Sequence, residues 1–537
     1  MKKLFTLLLS ITMVVAANAA DKFAQGPITW SAGPWYDAAT GGAATTSPVA
    51  GDNVFTQGFA VTVSENATCD NLTYTAVAGQ LILADGVKLT VRGQINCATA
   101  ITTINVFAGS HDNSTVELTG AISPFPTGNV LITPNATNGM SANNIIINTT
   151  PGTTPNTTQY TFDANNNSPA AGVRTGTFTV KAGSNFKMTT REFSVGTLIG
   201  NGLIVEEGAI FTAGGTIRGT GNSNAATFIT VNGTLESTFH VNAKTLTLGT
   251  NGVLRTAKSD RTTVTTPDSY SSDGWWGYLT SAVTAPATIF DKYVTPTTLN
   301  FATNATNEFY KAGNQNVPGT VAISSIGSPA TYPIPYANIK LSGTGIKTIQ
   351  SNLTATGNLI VGSGITLATA TSVTATVNGV LLNLGTITGT VTNAKTINVS
   401  SDVLMGTVSG SVAGSVVSLV ATPLVGYQFV NWTEASNVIS TSATLPAFTA
   451  ADGVRTIVAN WSVATGLNDI KNSAYVTVEG STLRLNGNVT DVEVFDAQGR
   501  RLVSERNVTS VNVKGNGIYI VRMHTAQGVN TQKVNIR

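Results

Sequence analysis

The sequence predicts an all-β protein built as a parallel β-helix or solenoid, a small β-rich repeat module and a C-terminal antiparallel β-sandwich. Outside the N-terminus, no run of about twelve or more residues carries the apolar period of an amphipathic helix. Gly and Thr are abundant, and Val and Ile recur in short runs, which suits strands joined by tight turns. From about residue 28 to 400, turn signals return roughly every eight to ten residues. Charged residues make up 10% of the chain and the net charge is +2. An average soluble domain carries roughly a quarter. Without clustered Lys and Arg, a nucleic-acid partner is disfavoured.

The N-terminus, "MKKLFTLLLSITMVVAANAA", has Lys2 and Lys3, an apolar run from Leu4 to Ala16, and Ala17-Asn18-Ala19. This is the pattern of a secretory signal peptide over residues 1–19, with cleavage expected after Ala19. The apolar run is short for a membrane span. No Cys follows the cleavage site to take a lipid. The mature protein is therefore expected outside the cytoplasm.

Residues 20–400 are expected to form the solenoid. "AGQLILADGVKLTVRGQIN" (78–96), "IGNGLIVEEGAIFTAGGTI" (199–217) and "ATGNLIVGSGITLATATSVTATVNGVLLNLGTITG" (355–389) share one theme. Each alternates Leu, Ile or Val inward, turns on Gly or Asn, and places Thr and Asn outward, where neighbouring coils can bond to one another. Cys69 and Cys97 lie 28 residues apart, a plausible coil length. They form either a disulfide between stacked coils or two small buried residues. An irregular aromatic insertion spans about 257–300. Within it Trp275, Trp276 and Tyr278 make either a glycan-stacking platform or a loop covering a coil edge.

Residues 401–463 change texture. Val417 and Leu419 alternate into a strand, Pro423 and Gly426 make a turn, and Tyr427, Phe429, Trp432 and Trp461 should pack a small sheet. Residues 467–537 then read as seven short strands, at 475–478, 482–485, 491–495, 501–503, 510–513, 517–523 and 530–536, separated by Gly and Asn turns.

Chemistry-bearing residues are sparse. His111, His240 and His524 stand in separate regions, and no metal or cofactor is expected. Glu206 and Glu207 would point to opposite faces of a strand. Asp260, Asp268, Asp273 and Asp291, with Arg261 and Lys292, gather around the aromatic insertion as the best candidate acid–base cluster. "GTGIKT" (343–348) lacks the spacing of a phosphate loop and reads as a turn.

Three resemblances add expectations. The segments at 28–74 and 309–367, with "GDNV" and "KLSGTGIKT", resemble the caps and repeats of long Bacteroidetes surface proteins. The segment 414–462, with "VSLVATPLVGYQFVNW" and "IVANW", resembles the internalin B-repeat, a spacer and adhesion module without known catalysis. The last unit, with "VEVFDAQGRRL" (492–502), "GIYIVRM" (517–523) and "KVNIR" (533–537), resembles the C-terminal sorting domain, type A, of the type IX secretion system. Asp496, Gly499, Gly517, Tyr519, Gly528 and Lys533 are the residues carrying that motif. The resemblance implies export through the type IX machinery, removal of the unit, and attachment to surface lipopolysaccharide or release. The expected function is an adhesin-like or structural surface protein binding glycans or partner proteins. The competing class is a β-helix polysaccharide lyase or glycoside hydrolase.

Overall fold

In a computed structural model, the described residues are 19–74, 81–97, 113–120, 144–148, 159–162, 173–188, 192–195, 202–214, 216–218, 226–238, 241, 243–257, 298–325, 328–464, 474–525 and 528–536. Among them every regular element is a strand. The chain forms two compact units, one running to Leu424 and including Phe429–Trp461, the other made of Val425–Gln428 and Ser462–Arg537.

In the first unit, successive coils add one strand at a time to parallel sheets. One sheet has nine strands, from Ala67–Cys69 through Lys88–Val91, Thr177–Val180, Gly202–Val205 and Ala243–Leu248 to Thr298–Phe301. A longer sheet runs through Asn185–Met188, Ile210–Ala213, Thr234–Ser237, Val253–Thr256, Thr306–Phe309, Asn338–Leu341, Leu359–Val361 and Thr374–Asn383 to Thr390–Ser401. Coils meet in register, as in Phe186 beside Phe211 and Leu235 beside Leu254. Alternate residues such as Leu203, Val205, Ile229, Val231, Leu246 and Leu248 are fully buried between sheets. Burying each such side chain contributes about 1.5–3 kcal/mol. Phe178, Phe186 and Phe211 fill one stretch of this core, with ring centroids 5.1 to 6.0 Å apart.

The Asn and Gly turns have a steric cause. Asn338 Oδ1 accepts a hydrogen bond from the backbone N–H of Asn358 at 2.8 Å, and Asn358 Oδ1 accepts from Val380 N–H at 2.7 Å. A Cβ on Gly357 would lie 2.4 Å from Asn338 Oδ1, and one on Gly379 would lie 2.5 Å from Asn358 Oδ1. Each Asn therefore ties its coil to the next only where the facing residue is Gly.

Both ends of the stack depart from the parallel pattern. Near the N-terminus, Asp21–Phe23 pairs parallel with Asn53–Phe55 on one side and antiparallel with Trp35–Tyr36 on the other. Buried Trp35 donates Nε1–H to Trp30 O at 2.9 Å, and Asp52 of the "GDNV" turn accepts from the backbone N–H groups of Ala20 and Val49. At the other end, Thr390–Ser401 pairs parallel with Gly453–Val463, so the long solenoid sheet continues into the small module. A second sheet, Gly406–Ala413, Val416–Pro423 and Thr444–Thr449, is antiparallel. Its Val408, Val417 and Leu419 share one core with Val380, Leu382 and Ile397 of the solenoid strands and with Trp432. The small module, expected over residues 401–463, is built onto the last coils and covers their outer face. Gly410 is where this contact is closest, since a Cβ there would sit 2.9 Å from both Leu382 Cδ2 and Leu419 Cδ2.

Cys69 is a buried, free thiol, so the Cys69–Cys97 bridge is not formed. Burial, with the nearby Asp70 and Asp52 charges, raises its pKa well above the ordinary thiol value. The coil here is shorter than the spacing suggested: Cys69 sits beside Val91, whereas the backbone of Cys97 aligns with Tyr74 in a different sheet.

The second unit contains all seven expected strands, several extended by a few residues. Tyr475–Glu479, Thr482–Asn486 and Ser510–Asn512 form one sheet, and Arg501–Arg506, Asp491–Asp496, Gly517–Thr525 and Gly528–Ile536 the other. Val492, Val494, Val521, Met523 and Leu483 are fully buried in its core. Gln532 joins the two sheets: its Oε1 accepts from Val476 N–H at 2.8 Å and its Nε2 donates to Val476 O at 3.1 Å.

Asn307 is one of the described core positions that break the inward apolar rule. Asn307 lies between Leu254 and Ile339, is 2% exposed, and neither polar atom of its side chain has a hydrogen-bond partner. An unsatisfied buried amide costs about 1–3 kcal/mol. Asn307→Leu is expected to raise stability by about that much, seen as a higher denaturation midpoint; an unchanged or lower midpoint would contradict this account.

Candidate ligand-binding cleft

The longer parallel sheet exposes a column of outward side chains at one position on successive coils: Glu236, Arg255, Glu308, Lys340, Ile360 and Leu382. Its charges alternate. Arg255 donates Nη1–H to Glu236 Oε2, and Nε–H to Glu308 Oε2 at 2.8 Å. Glu308 Oε1 takes the Ser342 hydroxyl at 2.6 Å and lies 3.1 Å from Lys340 Nζ. Burial alone would raise the Glu308 pKa, but the Ser342 hydrogen bond and the Lys340 and Arg255 charges outweigh it and hold the carboxyl below its usual value. The Arg255 guanidinium also lies over the Tyr310 ring at 4.7 Å. Burial, reinforced by Glu236, pushes the Tyr310 phenol up.

Where this column turns apolar, the turn at 413–415 of the covering sheet overhangs it. A cleft of about 230 Å³ opens there, with Thr306, Asn338, Lys340, Asn358 and Ile360 along the solenoid side and Val412–Gly414 along the other. Asn251 and Asn304 complete the solenoid side. The tying bonds of Asn338 and Asn358 fix their amides with Oδ1 turned to the next coil. Sequence reasoning did not single these residues out, although Asn recurs beside the turn at 338 and 358.

The residues that the sequence did single out fall elsewhere. Trp275, Trp276 and Tyr278, the carboxylates Asp260, Asp268, Asp273 and Asp291, and Arg261, Lys292, His111 and His240 lie outside the described residues. Glu206 and Glu207 stand in a turn that ends at Gly208 (φ 73°), not on a strand. Both bridge coils there, Glu206 to Lys181 Nζ at 2.6 Å and Glu207 to Asn251 Nδ2 at 2.6 Å. Among the described residues no group of His, Cys, Asp and Glu is placed to hold a metal ion.

Within the sorting-motif set, the side chains act on their own turns. Asp496 Oδ1 accepts from Gln498 and Arg500 N–H at 3.0 and 2.9 Å, and Gly499 follows with a φ of 80°. Burial tends to raise the Asp496 pKa, but these backbone bonds and the Arg500 guanidinium lower it overall. Tyr519 donates its hydroxyl to Lys514 O or Gly515 O, each 2.9 Å away, which clamps the turn leading to Gly517. Gly528 pairs with Thr525 across a hairpin, and Lys533 is exposed.

The "GTGIKT" stretch is a turn only at its start; Gly345–Ile349 is a strand with Lys347 facing inward. Lys347 is fully buried, and its Nζ donates to Lys311 O at 2.6 Å, to Gly313 O at 3.2 Å and to Gln315 Oε1 at 3.2 Å. Its partners are neutral oxygens rather than a carboxylate. Burial, with the Lys311 charge nearby, lowers its pKa from 10.5 to about 8.

The comparisons bear on one part of the chain. Residues 396–465 match the divergent InlB B-repeat domain. The match begins inside the strand Thr390–Ser401, which pairs with solenoid on one side and module on the other. No curated protein matches the chain.

Lys347 gives a pH prediction. Between pH 8 and 10.5 the unfolded chain holds this proton more tightly than the folded one, so stability rises as pH increases through that window, by at most about 3 kcal/mol. Denaturation midpoints of the wild type should show this rise and Lys347→Met should lack it. Equal slopes in the two proteins would refute the assignment.

Proposed function

We propose that this is a secreted, surface-displayed protein of adhesin-like or structural type, exported by the type IX secretion system, whose solenoid binds glycans or partner proteins. The observation that carries the binding part is the cleft under the 413–415 turn. Its lining holds amides, a hydroxyl, aliphatic side chains and one lysine, with no carboxylate. It can hold a ligand, but it has no pair of carboxyl groups to protonate and attack a glycosidic bond. The nearest carboxylate in the column, Glu308, is engaged by Arg255, Lys340 and Ser342.

Export rests on the signal-peptide pattern and on the last unit's likeness to a type IX sorting domain. The ordered turns at Asp496, Gly499 and Tyr519 are consistent with a unit that presents a fixed surface to a receptor. An attachment to lipopolysaccharide after removal of that unit belongs to the same proposal. The match at 396–465 supports a surface role as well, since the family resembled there is one of spacers and adhesion modules.

The test is to locate both termini of the exported protein by mass spectrometry. A start at Ala20 and loss of the unit at 467–537 are expected. Persistence of residues 470–537 in all surface material would overturn processing, and turnover of a polysaccharide panel abolished by Asp273→Ala or Asp291→Ala would replace the binding reading with an enzymatic one.

A further inference from the structure

We propose that the cleft under the 413–415 turn binds a carboxylate-bearing sugar residue of an acidic polysaccharide. This deepens the glycan-binding reading and rests on it. Two of the cleft amides, Asn338 and Asn358, have the acceptor end engaged and the donor end unengaged, whereas Asn251 gives its Nδ2–H to Glu207. Asn338 Oδ1 and Asn358 Oδ1 are held by backbone N–H groups of the following coil, and both residues line the cleft, so the Nδ2 is the end of each amide left to meet a ligand. Among the described residues neither Nδ2 donates a hydrogen bond. The acceptor–donor sense of these amides is thereby fixed by the coil geometry rather than chosen by the ligand.

Lys340 adds charge to this donor row. It ends the alternating column, its side chain is 44% exposed, and its carboxylate partner Glu308 is already shared with Arg255 and Ser342. An ammonium has three N–H donors, so at least one is available for a ligand oxygen. Two amides and an ammonium converging on one cleft call for an oxygen-rich, anionic group. Ile360, Val412 and Ala413 supply an apolar strip beside them, suited to the face of a sugar ring.

Size and topology favour a saccharide over an acidic peptide. At about 230 Å³ the cleft is below the roughly 300–1,000 Å³ of drug-sized sites, which fits a single ring better than a folded segment. An extended peptide gains affinity by adding to a sheet edge. Here the floor is the face of a parallel sheet whose strands Thr306–Phe309, Asn338–Leu341 and Leu359–Val361 are already paired on both sides.

The test is calorimetric titration of the full mature chain with oligogalacturonate, neutral cello-oligosaccharide and a poly-glutamate peptide. Oligogalacturonate is expected to bind, and at least tenfold more tightly than either of the others. Asn338→Asp keeps the acceptor that ties Asn358 N–H while replacing the donor with a negative charge, so it should abolish binding with an unchanged melting temperature. Lys340→Gln should weaken binding at least tenfold. Preference for the peptide, preference for the neutral sugar, or no binding of oligogalacturonate would overturn the proposal. Binding that survives both cleft variants but is lost in Trp275→Ala/Trp276→Ala would also overturn it, while leaving the glycan-binding reading intact. If Asn338→Asp lowers the melting temperature, Lys340→Gln together with the sugar preference decides the outcome.

Discussion

In-register stacking of parallel coils is the constraint on which the first unit depends. Each outward side chain meets the residue at the same position on the coils above and below, about 4.8 Å away. Like charges at that spacing repel, and opposite charges attract. The order Glu236, Arg255, Glu308, Lys340 obeys this rule along four coils. The low charge content has the same origin. A charge on this column is stabilised where a neighbouring coil offers its complement, whereas Asn and Thr, with both donor and acceptor groups, satisfy a neighbour of either kind. Asn53 with Asn71, Gln350 with Asn316, and Asn383 with Asn398 are bonded in this way across coils.

Stacking also creates ends. A terminal coil presents unpaired N–H and C=O groups, which would recruit another chain unless they are covered. At the N-terminal side, antiparallel pairing and the buried Trp30 and Trp35 interrupt the pattern. At the C-terminal side, the B-repeat segment extends the parallel sheet by Gly453–Val463 and lays a second sheet over Leu382 and Ile397. The outward column therefore becomes apolar where it is covered and stays charged where it meets water. Trp461 secures this junction by donating Nε1–H to Ser401 Oγ at 3.0 Å, above a glycine, Gly406, that leaves room for its ring.

Much of the fold was legible in the sequence because two-residue alternation and Gly or Asn turns are local signals. The seven strands of the last unit, the buried pair Val417 and Leu419, and the buried Trp432 follow from those signals alone. What was not legible depends on which coil lies next to which. Coil length varies, so the 28-residue spacing of Cys69 and Cys97 left a bridge and two separately buried residues equally open, and Cys69 lies beside Val91 while the Cys97 backbone aligns with Tyr74. Alternation in Thr390–Ser401 announces a strand but not that its two neighbours come from the solenoid and the module. The "GTGIKT" stretch reads as a turn because it lacks the order of a phosphate loop, yet its Lys347 lies on a strand and faces inward, where three neutral oxygens receive its ammonium. The cleft was hidden for the same reason: Asn338, Lys340 and Ile360 are ordinary residues until stacking and the overhanging turn bring them together.

Stability and recognition thus share one part of the molecule. The sheet that covers Leu382 and Ile397 must end somewhere, and its turn at 413–415 ends over the last uncovered rungs of the outward column. On one side of that boundary lie aliphatic side chains that need covering, and on the other lie paired charges and tied amides that need water or a ligand. A cleft at the boundary inherits both characters, an apolar wall and fixed donors, without any residue being placed there at the expense of packing. The amides that hold one coil to the next belong to the same Asn338 and Asn358 that line the cleft. A ligand bound by them would also brace the coils they join, so occupancy would stabilise the capped end of the solenoid by mass action, more strongly as ligand concentration exceeds the dissociation constant.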